Sequence, residues 1–180
     1  ARFMIENKKA KRIAIISDGT SSPRGQSESA VEWANKLDPD VELLVDQITP
    51  GEKDFASIVT KIKAFNPDAV FFTGFYAEGS IFLKQLRGMG VTCQYVVGDG
   101  NTDPSFIEVA GADAEGKVMT SPPMSERLPG SGEFIQKYTN KYGVGPAAYS
   151  VYCYDACYLL KDAITRANST EKAEVIKALR

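Results

Sequence analysis

The chain has 180 residues, 43% hydrophobic and 24% charged, enough for one sizeable core in an ordinary globular domain. Its 21 Lys and Arg stand against 23 Asp and Glu, and the net charge of −2 offers no electrostatic footprint for nucleic acid or an anionic membrane surface. No apolar stretch approaches the roughly 20 residues needed to span a bilayer, and the absence of His removes the commonest general base and transition-metal ligand, which argues against hydrolase triads and zinc sites.

In chain order, residues 1–9 put one apolar turn ahead of Lys8 and Lys9, cations suited to the negative end of a helix. They read as the last turns of a helix whose earlier part is absent, so the chain is expected to be an excised piece. Residues 11–18 are a continuous apolar run ending in small polar residues, which suits a strand buried on both faces of a parallel sheet. A Ser- and Gly-rich loop containing Pro23 leads to a predicted helix over about 26–37, with Ala30, Val31, Ala34 and Leu37 on one side, broken by Asp38-Pro39-Asp40. Residues 41–46 read as a second strand. Gly51 to Asp54 open a helix striped by Phe55, Ile58, Val59, Ile62 and Phe65, and Asn66-Pro67-Asp68 stops it.

Residues 69–74 read as a third buried strand, followed by a helix that turns Phe82, Leu83, Leu86 and Met89 inward and ends at Gly90. A fourth strand ends at Gly98-Asp99-Gly100-Asn101. Asp103 suits the N-cap and Pro104 the first position of the next helix, and 116–121 form a short strand running into Pro122-Pro123. This alternation predicts an α/β fold, a doubly wound parallel sheet with right-handed crossovers, over residues 1–122. Residues 123–180 form a helical segment of three stretches without a strand: about 133–142, striped by Phe134, Ile135, Tyr138 and Tyr142; about 147–167, with Tyr149, Tyr152, Cys153, Ala156, Leu160, Ala163 and Ile164 inward; and one from Ser169 or Thr170 to the end, where no cap is seen and truncation is again expected. Cys153 and Cys157, four apart on a helical pattern, read as small packing residues.

Asp99 is the first candidate for chemistry. Ligands of α/β sheets sit at the carboxyl edge of the strands. Its flanking glycines either let backbone and ligand come close or serve a tight turn at positive φ around a solvated carboxylate. The loop Asp18-Gly19-Thr20-Ser21-Ser22 leaves the same edge and presents hydroxyls and amides, as strand exits commonly do. Phe75 and Tyr76 follow Gly74, outside the third strand, where a ring can wall an apolar pocket; Phe71 and Phe72 read as core.

Neither a P-loop nor a dinucleotide fingerprint is present, and no cofactor is expected. Asp99-Gly100-Asn101-Thr102-Asp103 imitates the first half of a calcium loop, but Pro104 stands where glycine is required and Ala110 where a carboxylate is required, so no metal is expected. The third strand ends without the aspartate a phosphorelay receiver needs.

The runs Gly51-Glu52-Lys53-Asp54-Phe55, Pro67-Asp68-Ala69-Val70-Phe71-Phe72-Thr73-Gly74-Phe75 and Leu83-Lys84-Gln85-Leu86-Arg87-Gly88-Met89-Gly90-Val91 resemble the second lobe of the branched-chain amino-acid-binding proteins. Asp113-Ala114-Glu115-Gly116 and Tyr154-Asp155-Ala156 also stand in family places, and the resemblance spans most of residues 1–165. These proteins are extracytoplasmic solute receptors of ABC importers with the type I periplasmic-binding fold. The resemblance implies a two-lobed clamp on a free amino acid, served by an ABC permease, with this chain as the C-terminal lobe and no enzymatic activity; a ligand-sensing receptor domain of the same fold is the alternative.

It further implies that Asp99 binds the ligand's ammonium, that Phe75 touches ligand or its backbone, and that Tyr149 borders the hinge. The family's Tyr-Gly pair after the first strand has Ser22-Pro23 or Arg24-Gly25 as its nearest counterparts, which makes Ser22 and Arg24 candidates. Asp99 is shorter than the Glu of some members, implying a differently sized ligand or a bridging water. In the family the helices after residue 130 pack on the other lobe. Without it they would expose an apolar surface, so either homodimerisation through them or their folding back is expected.

Overall fold

The computed structural model describes all residues, 1–180. Five strands, β1 (Arg12–Ser17), β2 (Glu42–Gln47), β3 (Ala69–Phe72), β4 (Gln94–Val97) and β5 (Val118–Met119), form one sheet in the order β2-β1-β3-β4-β5. Every pairing is parallel, from Ile13 beside Leu43 and Ala69 to Val96 beside Val118. The predicted α/β doubly wound lobe is what the chain forms. Every residue of β3 is buried, as a central strand covered on both faces requires.

Because side chains alternate along a strand, each strand feeds two cores. On one face Ala14, Ile16, Val70, Phe72, Tyr95 and Val97 meet α2 (Ala56–Phe65), α3 (Tyr76–Gly88) and α4 (Ser105–Ala110). Phe82 is the hinge-pin of that layer, with the ring of Phe55 at 5.4 Å edge-on and that of Phe72 at 5.4 Å stacked. On the other face Ile13, Ile15, Ala69, Phe71 and Val96 meet Ala30 and Ala34 of α1 (Ser21–Leu37) together with Met4 and Ile5 of a π-helical turn, Phe3–Asn7. These residues make up the first of two compact units, Ala1–Ser121.

Helix α4 starts one residue later than expected, with Pro104 rather than Asp103 at its N-cap, while Asp103 Oδ1 accepts from Ser105 N at 2.9 Å. Three further boundaries differ from the sequence reading, each for a local reason. Helix α1 starts at Ser21, five residues early, and includes Pro23. A proline there loses nothing, since the first N–H groups of a helix have no intrahelical partner; Arg24 N donates to Thr20 O at 2.9 Å to begin the ladder. Helix α2 starts late, at Ala56, because residues 51–55 are tied to α3 instead: Gly51 N donates to Glu78 Oε1 at 2.8 Å and Phe55 N to Gln85 Oε1 at 2.7 Å. Strand β5 keeps only two residues, as an edge strand pairing with β4 alone.

The second unit, Pro122–Arg180, holds α5 (Gly132–Tyr142), α6 (Ser150–Ala167) and α7 (Lys172–Ala178). Phe134 of α5 sets its ring 5.0 Å from that of Tyr154 on α6, and Tyr154 lies 4.8 Å from Tyr158. Of the seven residues predicted to face inward from 147–167, only Ala163 is buried, while Cys153, Ala156 and Leu160 are exposed.

The cysteines are all free. Cys93 is partly buried and burial pushes its thiol up to about 11, whereas Cys153 and Cys157 lie exposed. Since only the thiolate attacks an alkylating agent, iodoacetamide at pH 8 is expected to modify Cys153 and Cys157 and to spare Cys93 until the protein is unfolded, as read by peptide mass mapping.

Candidate functional site

The parallel sheet delivers five strand exits to one edge, and three of them are tied to one another. From β3, Thr73 is buried and its hydroxyl donates to Pro23 O at 2.8 Å, which fastens the first turn of α1 to the centre of the sheet. From β4, the chain enters a single 3-10 turn, Asp99–Asn101. Asn101 is buried, and its Nδ2 donates to Gly74 O at 2.8 Å and to Gly98 O at 3.4 Å, so one side chain spans both exits. Asn101 Oδ1 accepts no hydrogen bond and lies against Gly79, where any Cβ would stand only 2.3 Å away.

Asp99 is half-exposed at this edge, and its Oδ1 accepts a hydrogen bond of 2.6 Å from Gln26 Nε2 on α1. Neither flanking glycine supplies a positive φ, so the tight-turn reading of that pair does not hold. Both glycines are seats for neighbours instead. A Cβ on Gly98 would fall 2.3 Å from Gln26 Oε1, and one on Gly100 would fall 2.9 Å from Phe75 Cδ1 and 3.2 Å from Gly74 O. The Phe75 ring thus lies against the residue following Asp99, and it remains 47% exposed.

The other predicted residues are placed as follows. Tyr76 opens α3 and is 37% exposed. Ser22 and Arg24 lie exposed on the first turn of α1, with Arg24 Nε 3.9 Å from Glu28 Oε1. Tyr149 belongs to the second unit, where it precedes α6 and its ring stands 6.4 Å from that of Tyr152. The second carboxylate at the edge, Asp18, is buried and accepts from Thr20 N at 2.9 Å and Thr20 Oγ1 at 2.6 Å, a bond set that shapes the turn after β1.

A groove of about 850 Å³ runs along α1, lined by Trp33, Leu37, Phe71, Ser22 and Gln26 among others. Its only charged side chain is that of Arg2, so it has no carboxylate for a cationic group. No cluster of three His, Cys, Asp or Glu is arranged to hold a metal, and no helix is long and apolar enough to cross a membrane.

Gln26 and Asn101 were not legible as site residues. Gln26 meets Asp99 across 73 residues of sequence, beyond any local pattern. Asn101 looks like an ordinary small polar residue at a strand exit, and only its burial reveals its task.

The five-stranded all-parallel sheet with its helices matches the type I periplasmic-binding fold. The chain belongs to the periplasmic binding protein family, whose sequence profile matches residues 1–180. It is 31% identical over 180 residues to Leu/Ile/Val-binding protein homolog 3 of Brucella melitensis, covering 99% of this chain and 48% of that protein. To the Leu/Ile/Val-binding protein of Citrobacter freundii it is 30% identical, covering 100% of this chain and 48% of the relative. Among solved structures, the leucine binding protein LivK of Thermotoga maritima superposes with a TM-score of 0.88 at 30% identity, over 99% of this chain and 51% of that one. The chain therefore spans about half the length of the relatives it matches.

Replacing Asn101 by Ala removes both donors from the buried Gly74 and Gly98 carbonyls, at a cost of about 1–3 kcal/mol. Urea unfolding is expected to show a lower midpoint with an unchanged slope; an unchanged midpoint would show that the tie between the two exits carries no stability.

Proposed function

We propose that the chain is the C-terminal lobe of an extracytoplasmic solute-binding protein of an ABC importer, and that the ligand is a branched-chain amino acid held in a cleft between two lobes. The observation that carries this reading is the placement of Asp99 and Phe75 at the carboxyl edge of the sheet, where the exposed Phe75 ring packs on Gly100, the residue that follows Asp99. Descent from a family whose relatives are named as Leu/Ile/Val-binding proteins, together with the span of about half their length, supports the ligand class and the two-lobed form. It also supports a binding protein rather than an enzyme, one that hands its ligand to an ABC permease.

The chemistry follows from the ligand. An α-amino acid brings an ammonium, a carboxylate and a side chain, and a tight site satisfies the first two while keeping water off the third. In this proposal Asp99 accepts the ammonium and Phe75 and Tyr76 wall the aliphatic side chain. Ser22 and Arg24, near the start of α1, are the binding candidates at the family's Tyr-Gly position, and the ligand's carboxylate falls to the other lobe. Tyr149 enters on the family resemblance alone, as an aromatic bordering the hinge.

One charge-assisted hydrogen bond contributes about 1.5–3 kcal/mol, less than the roughly 4 kcal/mol of a millimolar complex. The 180-residue chain by itself is therefore expected to give no measurable heat with leucine, and the two-lobed protein to bind it at micromolar concentration or below. In the latter, Asp99→Asn is expected to weaken leucine about 10- to 100-fold. Micromolar binding by the chain alone, or parental affinity in Asp99→Asn, would count against the reading.

The second unit presents Tyr142, Val144, Tyr154, Tyr158, Leu159 and Leu160 in exposed positions. A surface of that kind is covered in a stable protein, and in the isolated chain the proposed cover is a second copy. Sedimentation velocity is expected to show a concentration-dependent dimer, and a monodisperse monomer rejects the dimer.

A further inference from the structure

The amide of Gln26 touches two things at once. Its Nε2 donates to Asp99 Oδ1 at 2.6 Å, and its Oε1 lies over Gly98, where a Cβ would stand 2.3 Å from it. The helix that carries Gln26 is itself fixed, since Pro23, three residues earlier, takes the buried Thr73 hydroxyl at 2.8 Å. From this geometry we infer that Gln26 is the positioning residue that aims the Asp99 carboxylate at the ligand's ammonium, and that residue 98 is glycine in order to seat the Gln26 amide. The inference rests on the amino-acid-binding reading above and adds to it the group that sets the carboxylate's orientation.

The residue type fits the task. An aspartate's second side-chain torsion is broad, so a half-exposed carboxylate samples many orientations unless something holds it. A neutral amide donor holds it without discharging it, and a carboxylate offers about four lone-pair sites, of which this bond uses one. A Lys or Arg at position 26 would compete with the ammonium for the same charge, and a Glu would repel Asp99. The nearest cation on α1, Arg24, turns toward Glu28, with Nε and Oε1 3.9 Å apart.

Gly98 provides a second, independent handle. Its backbone has φ −75° and ψ 174°, a conformation that alanine adopts freely, and the atom in the way is the far end of a flexible side chain. Gly98→Ala therefore displaces Gln26 from Asp99 while leaving the turn intact.

The test is calorimetric titration of the complete two-lobed protein with leucine and with 4-methylpentanoate, which keeps the carboxylate and side chain but has no donor at the carbon that carries the ammonium. Gln26→Leu and Gly98→Ala are each expected to weaken leucine about tenfold and to leave the weaker deamino acid unchanged, with parental thermal unfolding. An equal loss on both ligands, or no loss on leucine, overturns the inference.

In the 180-residue chain, the side-chain amide resonances of Gln26 are expected to follow the protonation of Asp99 and to lose that response in Asp99→Asn. Resonances that ignore Asp99 overturn the inference as well. A parent protein that binds no leucine, with resonances that do respond, overturns the functional reading and the ammonium role while leaving the Gln26–Asp99 contact standing.

Discussion

The parallel ladder β2-β1-β3-β4-β5 fixes where everything else can be. Parallel strands bury both faces, so each of them must enter and leave the sheet at its ends, and all carboxyl ends meet at one edge. At that edge β1, β3 and β4 deliver polar residues without breaking a core. Ile13 and Ile15 on one face, Ala14 and Ile16 on the other, leave β1 no room for chemistry until Ser17 and Asp18. The same holds for β4, which runs apolar to Val97 and then delivers Gly98, Asp99 and Gly100.

At the edge, position is set by a few bonds between loops rather than by the strands. Thr73 ties the start of α1 to β3, Asn101 ties the exit of β4 to that of β3, and Gln26 reaches from α1 to Asp99. Each is a side chain bonded to something far away in sequence. Three side chains at this edge are seated on glycines: Asn101 on Gly79, Gln26 on Gly98 and Phe75 on Gly100. The glycines around Asp99 are there because other side chains need the space. Close packing of this kind restricts the Asp99 carboxylate.

How much of this could be read in the residues follows from the range of each interaction. The strands and helices were legible because burial imposes periodicity: Phe55, Ile58, Val59 and Ile62 repeat as a helix face must, and residues 69–72 form an unbroken apolar run. The start of α1 was misplaced because Pro23 and Gly25 look like loop residues, although a proline within the first turn is sterically acceptable. Asp99 stood out because a charge at the end of an apolar strand is an abrupt change. Gln26 and Asn101 did not, since their partners are set by the fold and not by their neighbours in the chain. For α6, the stripe Cys153, Ala156 and Leu160 announced an apolar face, but periodicity alone does not say what covers it.

The central claim is that Asp99 receives the ammonium of an amino acid, with the Phe75 ring beside it. The most direct measurement is a crystal structure of the two-lobed protein with leucine bound. The account predicts the ligand nitrogen within about 2.7–3.2 Å of the Asp99 carboxylate, with the isobutyl group against Phe75. A leucine whose nitrogen is held elsewhere, with Asp99 facing only water, contradicts it.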